Sequence, residues 1–282
     1  MVQVGSDGRG APRPRSFILK QALIALGLAA AAPAGAGPAF PPAPDLLSIP
    51  TRDATPALWE VRDGDTIIYL FGTFHTLDRR TMWFDRSVRT AFDRSSELVL
   101  ETIVPERQDA INSLGRQAVG AKPGAFLTAT RSAMARSKAD GLSVELGADA
   151  VLRRAANDQG KTLAGLELFE DQLRQFAQIP ATTAIPARAT SVPAVMLTDL
   201  LTAWKAGDTA AFTAMLAGFE AKAPAAYRIL IADRNARWGE WIANRLDQPG
   251  TIFVAVGSGH LAGKDSVQNW LSSRGIYARR VS

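Results

Sequence analysis

The fold is decided by the stretch Ile67-Ile-Tyr-Leu-Phe-Gly-Thr-Phe-His75, an apolar run that ends in Gly-x-x-His. The same pattern returns much later as Ile252-Phe-Val-Ala-Val-Gly-Ser-Gly-His260. A short continuous apolar run bounded by glycine is typical of a buried strand. The chain has 2 histidines, and each of them follows one of these runs. The pattern therefore predicts two strands that place a pair of imidazoles at one edge of a sheet.

Two other apolar runs end on a carboxylate. They are Glu97-Leu-Val-Leu-Glu101 and Lys161-Thr-Leu-Ala-Gly-Leu-Glu167. In open α/β sheets, sites form outside the carboxyl ends of the strands. If the four strands are parallel neighbours, we expect Glu101 and Glu167 to converge with His75 and His260.

Two imidazoles with nearby carboxylates favour a divalent metal such as zinc, manganese, cobalt or iron. We expect His75, His260 and Glu101 to be the ligands, and Glu101 or Glu167 to be the general base on a metal-bound water. The alternative is that each histidine is a hydrogen-bonded structural residue and each glutamate an ion-pair partner. No motif indicates an organic cofactor.

The glycines of the two motifs and one arginine complete the predicted site. Gly72, Gly257 and Gly259 are expected to allow a positive φ or a close backbone approach, so that the chain turns sharply at the strand end. Arg234 lies on a long predicted helix. It either belongs to a solvated face or orients a substrate carboxylate or carbonyl, because a guanidinium is a rigid bidentate donor.

The first 36 residues have the layout of a secretory signal peptide. A basic start precedes the apolar run Ala22–Ala32 and the small-residue motif Ala34-Gly-Ala36, with cleavage expected between Ala36 and Ala39. Residues 37–53 form a linker rich in Pro and Ala. We therefore expect an exported protein, periplasmic or secreted, with no stable membrane span after cleavage. An uncleaved N-terminal anchor is the alternative.

Residues 54–282 are predicted to form a single domain. Asp63-Gly-Asp65 between two apolar runs indicates a hairpin. Alternating strands and helices at both ends indicate an α/β fold, with a central mixed sheet, helices on both faces and a mostly helical insertion at about 105–222. The prolines from Pro180 to Pro193 indicate a break inside this insertion.

Composition excludes several function classes. The absence of cysteine rules out disulfides, thiolate ligands and a cysteine nucleophile. The leader holds four of the 32 basic and one of the 27 acidic residues, which leaves 28 and 26 and a net charge of +2. That charge is too weak to indicate nucleic-acid binding. The oligomeric state is not indicated.

With these motifs in place, the chain resembles the TraB/GumN (TraB/PrgY/GumN) family. The resemblance implies a relation to the Tiki metalloproteases, which share the paired Gly-x-x-His and a strand-end glutamate, here at His75, His260 and Glu101. It also implies a remote likeness to the erythromycin-esterase and ChaN-like folds. The matching segments are Leu58-Trp59, Leu70–Leu77, Leu98–Thr102, Gly165–Glu167 with Gln172, Asp233–Trp238 and Val254–Gly263.

These observations predict an exported, metal-dependent hydrolase acting on a peptide or another small exported substrate. Glu101, Glu167 and Arg234 are the expected catalytic residues, and His75, His260 and Glu101 the expected metal ligands. A second interpretation stays open, in which the protein is a non-catalytic periplasmic binding protein for a peptide, haem or a polysaccharide intermediate.

Overall fold

The computed structural model describes residues 54–84, 86–105, 107–119, 141–179 and 194–282. The predicted signal peptide and linker lie outside these residues. The sequence also predicts a helix from Ala125 to Lys138. This stretch and the Pro180–Pro193 break lie outside the described residues as well. Within the described ranges, the helices are too short or too polar to cross a membrane.

A six-stranded mixed sheet forms the centre of the protein, in the order β4-β3-β5-β2-β1-β6. The predicted α/β class and central mixed sheet are therefore confirmed. The strands are β1 (Leu58–Arg62), β2 (Thr66–Thr73), β3 (Glu97–Thr102), β4 (Thr162–Glu167), β5 (Gly250–Gly257) and β6 (Arg279–Arg280).

The four strands that carry the motifs are mutually parallel and adjacent. β3 pairs in parallel with both β4 and β5, and β5 pairs in parallel with β2. Their carboxyl ends therefore meet at one edge of the sheet, as the sequence predicted. β4 lies within the stretch 105–222, so this stretch contributes a strand to the sheet as well as helices.

The predicted hairpin joins β1 to β2 in antiparallel register. Asp63 Oδ1 accepts hydrogen bonds from the backbone N–H of Asp65 and Thr66, at 3.3 and 2.9 Å, which closes the turn. β6 then pairs antiparallel with β1, so the end of the chain lies beside the beginning of the domain.

Helices and helical turns cover the sheet. They are α1 (Arg86–Arg94), α2 (Gln108–Val119), α3 (Ala148–Asp158), α4 (Phe169–Ala177), α5 (Ala194–Lys205), α6 (Ala210–Lys222), α7 (Pro224–Tyr227), a π-helical turn (Arg228–Ala232), α8 (Asp233–Leu246), a 3₁₀ turn (Ser258–Leu261) and α9 (Val267–Ser272).

The two faces of the sheet pack against separate apolar clusters. On β2, Tyr69 and Phe71 enter the larger cluster, whereas Ile68 and Leu70 enter the smaller one with Trp238 of α8. This split follows from the alternation of side chains along a strand. A strand that is buried on both faces must be apolar throughout, which explains the continuous apolar runs in the sequence.

Candidate active site

The site lies at the shared carboxyl edge of β2, β3, β5 and β4. Glu101 is the last but one residue of β3, and Glu167 is the last residue of β4. His75 follows the end of β2 by two residues. His260 lies in the 3₁₀ turn directly after β5. Parallel pairing thus places all four predicted residues at the same edge.

Arg234 of α8 is at the centre of the buried part of this edge. Its side chain is fully buried, and it forms ion pairs with both glutamates. Nη2 donates to Glu101 Oε2 at 2.7 Å and to Glu167 Oε1 at 2.7 Å, and Nε donates to Glu167 Oε1 at 3.1 Å. Nη1 donates to the Leu230 carbonyl at 3.2 Å and faces His260 Nε2 at 3.1 Å.

A guanidinium has five N–H groups, and Arg234 directs all five at acceptors within the protein. The sequence left open whether Arg234 is a surface residue or orients a substrate. The structure shows a buried residue whose donors are already used. The arrangement therefore favours a role in positioning Glu101 and Glu167 over direct contact with a substrate.

The π-helical turn before α8 helps to place this side chain. The Asp233 N–H donates to the Arg228 carbonyl five residues earlier, which widens the turn. Leu230 lies within this turn, and its carbonyl oxygen accepts a hydrogen bond from Arg234 Nη1. Single π turns inside helices occur frequently at functional sites.

Glu101 has both carboxylate oxygens occupied. Oε1 accepts the Gly257 N–H at 2.7 Å, and Oε2 accepts from Arg234. Burial raises the pKa of Glu101, and the charges of Arg234 and His75 oppose that increase. Burial also acts against the charged form of Arg234, but Glu101 and Glu167 outweigh it and raise the pKa of Arg234. Each charge of this network therefore depends on the others.

His260 is held from both ring nitrogens. Nδ1 lies 2.6 Å from Asn235 Oδ1, and Nε2 lies 3.1 Å from Arg234 Nη1. Asn235 also donates from Nδ2 to the carbonyls of His260 and Asp265, at 3.3 and 2.7 Å. Trp238 packs against the imidazole with ring centroids 4.5 Å apart, and the Arg234 guanidinium lies 4.4 Å from the Trp238 ring centroid.

His75 occupies a different environment. Its Nδ1 lies 2.5 Å from Asp149 Oδ2, and its Nε2 lies 3.5 Å from the Thr73 hydroxyl, which itself donates to Asp149 Oδ1 at 2.9 Å. Burial lowers the pKa of His75, but the carboxylates of Asp149 and Glu101 outweigh it, so the pKa of His75 is raised. The charge of Arg234 acts in the lowering direction, so His75 lies within electrostatic range of the buried network.

The two histidines also differ in exposure. The side chain of His260 is 0% exposed, whereas those of His75 and Asp149 are 10% and 26% exposed. The pair of His75 and Asp149 is therefore the part of the site that solvent reaches. The network around Arg234 lies beneath it.

Asp149 reaches His75 because helix α3 begins against the end of β2. The Ala148 N–H donates to the Phe74 carbonyl at 3.0 Å, and Asp149 lies in the first turn of α3. A Cβ atom on Gly147 would lie 2.1 Å from the His75 carbonyl oxygen. Only glycine allows the helix to approach this closely.

The predicted glycines do not use positive φ angles. Among the described residues the positive-φ glycines are at other positions, so that part of the prediction is wrong for Gly72, Gly257 and Gly259. Gly72 instead allows a close approach, because a Cβ there would lie 2.9 Å from Ser258 Oγ. The Ser258 hydroxyl donates to the Thr73 carbonyl at 2.9 Å, which ties the two motif strands together.

The residues present do not fit a cation shared by the two histidines. Nε2 of His260 and Oε2 of Glu101 both face the guanidinium of Arg234, so a positive charge already occupies this part of the site. Within the described residues, no group of three or more His, Cys, Asp or Glu side chains is placed to hold a metal ion. Metal binding by His75, His260 and Glu101 stays a prediction from sequence.

Sequence reasoning gave no site role to three residues that the structure places here. Asp149 carried no motif, and only a glycine before a helix marked its position. Asn235 lies in the matching segment Asp233–Trp238, without a predicted role of its own. Gln172 was noticed only through the resemblance; it is buried, and its Nε2 donates to Glu167 Oε1 at 3.0 Å.

Comparison with known proteins identifies one family. The model of the TraB/PrgY/gumN family matches residues 57–119 and 105–280, which together cover nearly the whole described chain. No curated protein and no solved structure gives a significant match.

Proposed function

Because the chain belongs to the TraB/PrgY/gumN family and carries this site, we propose that it is a hydrolase in which His75 is the general base. The observation that carries the proposal is the contact of 2.5 Å between His75 Nδ1 and Asp149 Oδ2. A histidine base oriented by a carboxylate on its other ring nitrogen is a recurring arrangement in hydrolases.

Asp149 sets which ring nitrogen of His75 can act. The carboxylate faces Nδ1 and keeps the proton on that atom, which leaves the lone pair on Nε2. Thr73 has a single hydroxyl hydrogen and uses it to donate a hydrogen bond to Asp149 Oδ1. The hydroxyl therefore does not donate to Nε2 of His75. Nε2 is therefore the atom that takes a proton from water.

The reaction balances with the residues of this chain alone. Nε2 accepts one proton from a water molecule as its oxygen attacks the carbonyl carbon of an amide or ester. The imidazolium then returns that proton to the leaving nitrogen or oxygen. The carboxylates of Asp149 and Glu101 stabilise the imidazolium while it exists, because both raise the pKa of His75.

Glu167 and Arg234 support Glu101 in this scheme. Arg234 bridges the two glutamates, so the Glu101 carboxylate keeps one position at the end of β3. A group held in place in a poorly solvated site acts on a developing charge more strongly than it would in water. Neither Glu167 nor Arg234 needs to touch the substrate.

The substrate class and the location are part of the same proposal. The leader-like sequence of residues 1–36 supports export, and the resemblance to metalloproteases supports a peptide or a similar small exported amide or ester. The sequence also predicts a divalent metal, and no step of this reaction depends on it.

The test is hydrolysis by the mature protein of p-nitrophenyl esters, p-nitroanilides and a mixed peptide library. Each assay is run with a chelator and with added manganese, cobalt or zinc. We expect turnover that falls about 10²–10⁴-fold in His75→Gln, the range that a general base contributes. Co-purification of a peptide, haem or saccharide without turnover of any probe would instead favour the binding protein.

A further inference from the structure

We propose that Asn235 is a positioning residue that fixes His260 as a neutral, Nδ1-protonated acceptor for Arg234. In this arrangement His260 accepts a hydrogen bond from the guanidinium of Arg234, and the guanidinium donates hydrogen bonds to Glu101 and Glu167. The inference deepens the proposed function, and only its kinetic part rests on that function. The protonation of the ring can be measured in the protein without substrate.

The first step concerns the contact between Arg234 and His260. A guanidinium has only donors and stays charged in proteins. At 3.1 Å from Arg234 Nη1, His260 Nε2 is therefore an acceptor, because an N–H on that atom would meet another N–H. Glu101 Oε1 lies 3.7 Å from the same nitrogen, too far to accept a hydrogen bond from it. A ring with a free lone pair on Nε2 is neutral and carries its proton on Nδ1.

Second, the contacts of Asn235 independently indicate a proton on Nδ1 of His260. Its Nδ2 faces the carbonyl oxygens of His260 and Asp265, which only accept. The amide nitrogen must therefore point at the carbonyls and the amide oxygen at His260 Nδ1, 2.6 Å away. An accepting oxygen at this place requires a proton on Nδ1. Reversing the amide would set its oxygen against two carbonyl oxygens and lose both of these hydrogen bonds.

The third step concerns burial. His260, Asn235 and Arg234 are at most 1% exposed, so water offers no alternative partner for a mismatched group. A buried donor or acceptor without a partner costs about 1–3 kcal/mol. Trp238 packs on both His260 and Arg234 and keeps them in contact.

The histidines of the two Gly-x-x-His motifs therefore have different roles. His75 has its Nε2 available for proton transfer, as argued above. His260 has its Nε2 lone pair directed at Arg234, so it serves as an acceptor rather than as a base. Asn235 follows Arg234 directly in the sequence. Its Oδ1 accepts from Nδ1 of His260, so the lone pair of the ring is on Nε2, where it accepts from Arg234.

The direct test is nitrogen NMR of the protein labelled with ¹⁵N-histidine. The chain has only 2 histidines, so His75→Gln leaves the signal of His260 alone. Long-range proton–nitrogen correlations distinguish a protonated Nδ1 from a protonated Nε2. We expect the Nδ1-protonated ring in the wild type and in His75→Gln. A ring protonated on Nε2, or on both nitrogens, would overturn the proposal.

Variants test the consequence for positioning. Gln at 260 has a side-chain oxygen that can accept from Arg234, whereas Leu has none. We expect His260→Gln to keep kcat within about tenfold, and His260→Leu and Asn235→Ala to lose about 100-fold, with KM nearly unchanged in all three. Equal loss in His260→Gln and His260→Leu would contradict the acceptor role. If no probe is hydrolysed, the hydrolase proposal fails, and the NMR result still decides the assignment of His260.

Discussion

Asp149 Oδ2 lies 2.5 Å from His75 Nδ1, and this contact joins the first turn of helix α3 to the end of strand β2. It gives His75 a fixed orientation and a charged partner. It also places the most accessible ionisable pair of the site above a buried network that contains two glutamates and one arginine. Separate substitutions can therefore test the accessible pair and the buried network.

The Asp149→Asn variant tests the electrostatic part of the contact. A general base acts when deprotonated, so the rate rises as pH passes upward through the pKa of His75, which is raised above its ordinary value. Without the Asp149 charge, burial and Arg234 still lower that pKa and only Glu101 raises it. The acid limb of the kcat/KM profile should therefore move to lower pH, while the maximum rate falls about 100-fold because the ring loses its orientation.

Asp158→Asn is the matched control for that experiment, because Asp158 is an exposed residue of the same helix. It should leave both the profile and the maximum rate unchanged. An acid limb that stays in place or moves to higher pH in Asp149→Asn would contradict the assignment of His75 as the base.

Arg234→Met tests the buried network through stability. The change removes the cation that Glu101 and Glu167 share and leaves the two carboxylates side by side, although both side chains are only 6% exposed. Breaking a buried ion pair by removing one partner costs about 3–5 kcal/mol. Urea unfolding followed by circular dichroism should show a loss of this size.

Arg237→Met is the control for this loss. Arg237 lies on the same helix with its side chain 50% exposed, and its Nη2 lies 4.0 Å from Glu167 Oε2. A long ion pair with a half-exposed partner contributes about 1 kcal/mol or less. Similar losses in the two variants would show that the buried network is not a special source of stability.

Gly147→Ala tests the approach of helix α3 to the strand end. The added methyl group would lie 2.1 Å from the His75 carbonyl oxygen, so the helix has to move and take Asp149 with it. Overpacking of this kind costs about 1–3 kcal/mol. We expect that loss in urea unfolding together with reduced hydrolysis.

Gly115→Ala provides the comparison, since a Cβ at Gly115 of helix α2 meets nothing within 4 Å. Replacing glycine by alanine in a helix interior stabilises by about 0.5–1 kcal/mol. A Gly147→Ala protein with wild-type stability and activity would refute the close approach.

Metal analysis tests whether His260 is a metal ligand, as the sequence predicts, or an acceptor for Arg234. We expect the metal content of His260→Ala, measured by mass spectrometry on the purified protein, to equal that of the wild type, because Nε2 faces Arg234. Stoichiometric metal in the wild type that is lost in both His75→Ala and His260→Ala would instead establish the two histidines as ligands.

The sequence predicted the part of the site that depends on strand direction. Apolar runs such as Ile67–Phe71 are long enough to identify buried strands, and parallel strands bring their ends together for geometric reasons. The position of His75, Glu101, Glu167 and His260 at one edge was expected on the condition that their strands are parallel neighbours, and the strand pairing meets that condition. The hydrogen-bond partners of those residues were not expected, because they come from other elements.

Helix α3 shows why Asp149 was missed. The buried residues of this helix are Ala148, Leu152 and Ala156, and two of the three are alanines. Small residues carry little periodic signal, so the rotation of an alanine-rich helix is poorly determined by sequence. The rotation was fixed by the contact between Ala148 and Phe74, which no local pattern reveals.

Arg234 illustrates a second limit. A charged residue on a helix is usually exposed. The sequence predicted Arg234 as a site residue that orients a substrate, but not its burial between two glutamates from different strands. Its burial became understandable only with the parallel order of β3 and β4, which brings Glu101 and Glu167 to the same helix.

The pairing of β2 with β5 has a consequence for synthesis. Strand β2 pairs with β1 early, but Ile68 lies beside Ile252, so the other side of β2 has no partner until nearly the whole chain has been made. Contacts between such distant segments form slowly because a long loop must close first. The protein cannot acquire its site stepwise from the N-terminus, and a nascent chain that stops before residue 250 carries His75 but none of the β5 backbone that completes the sheet.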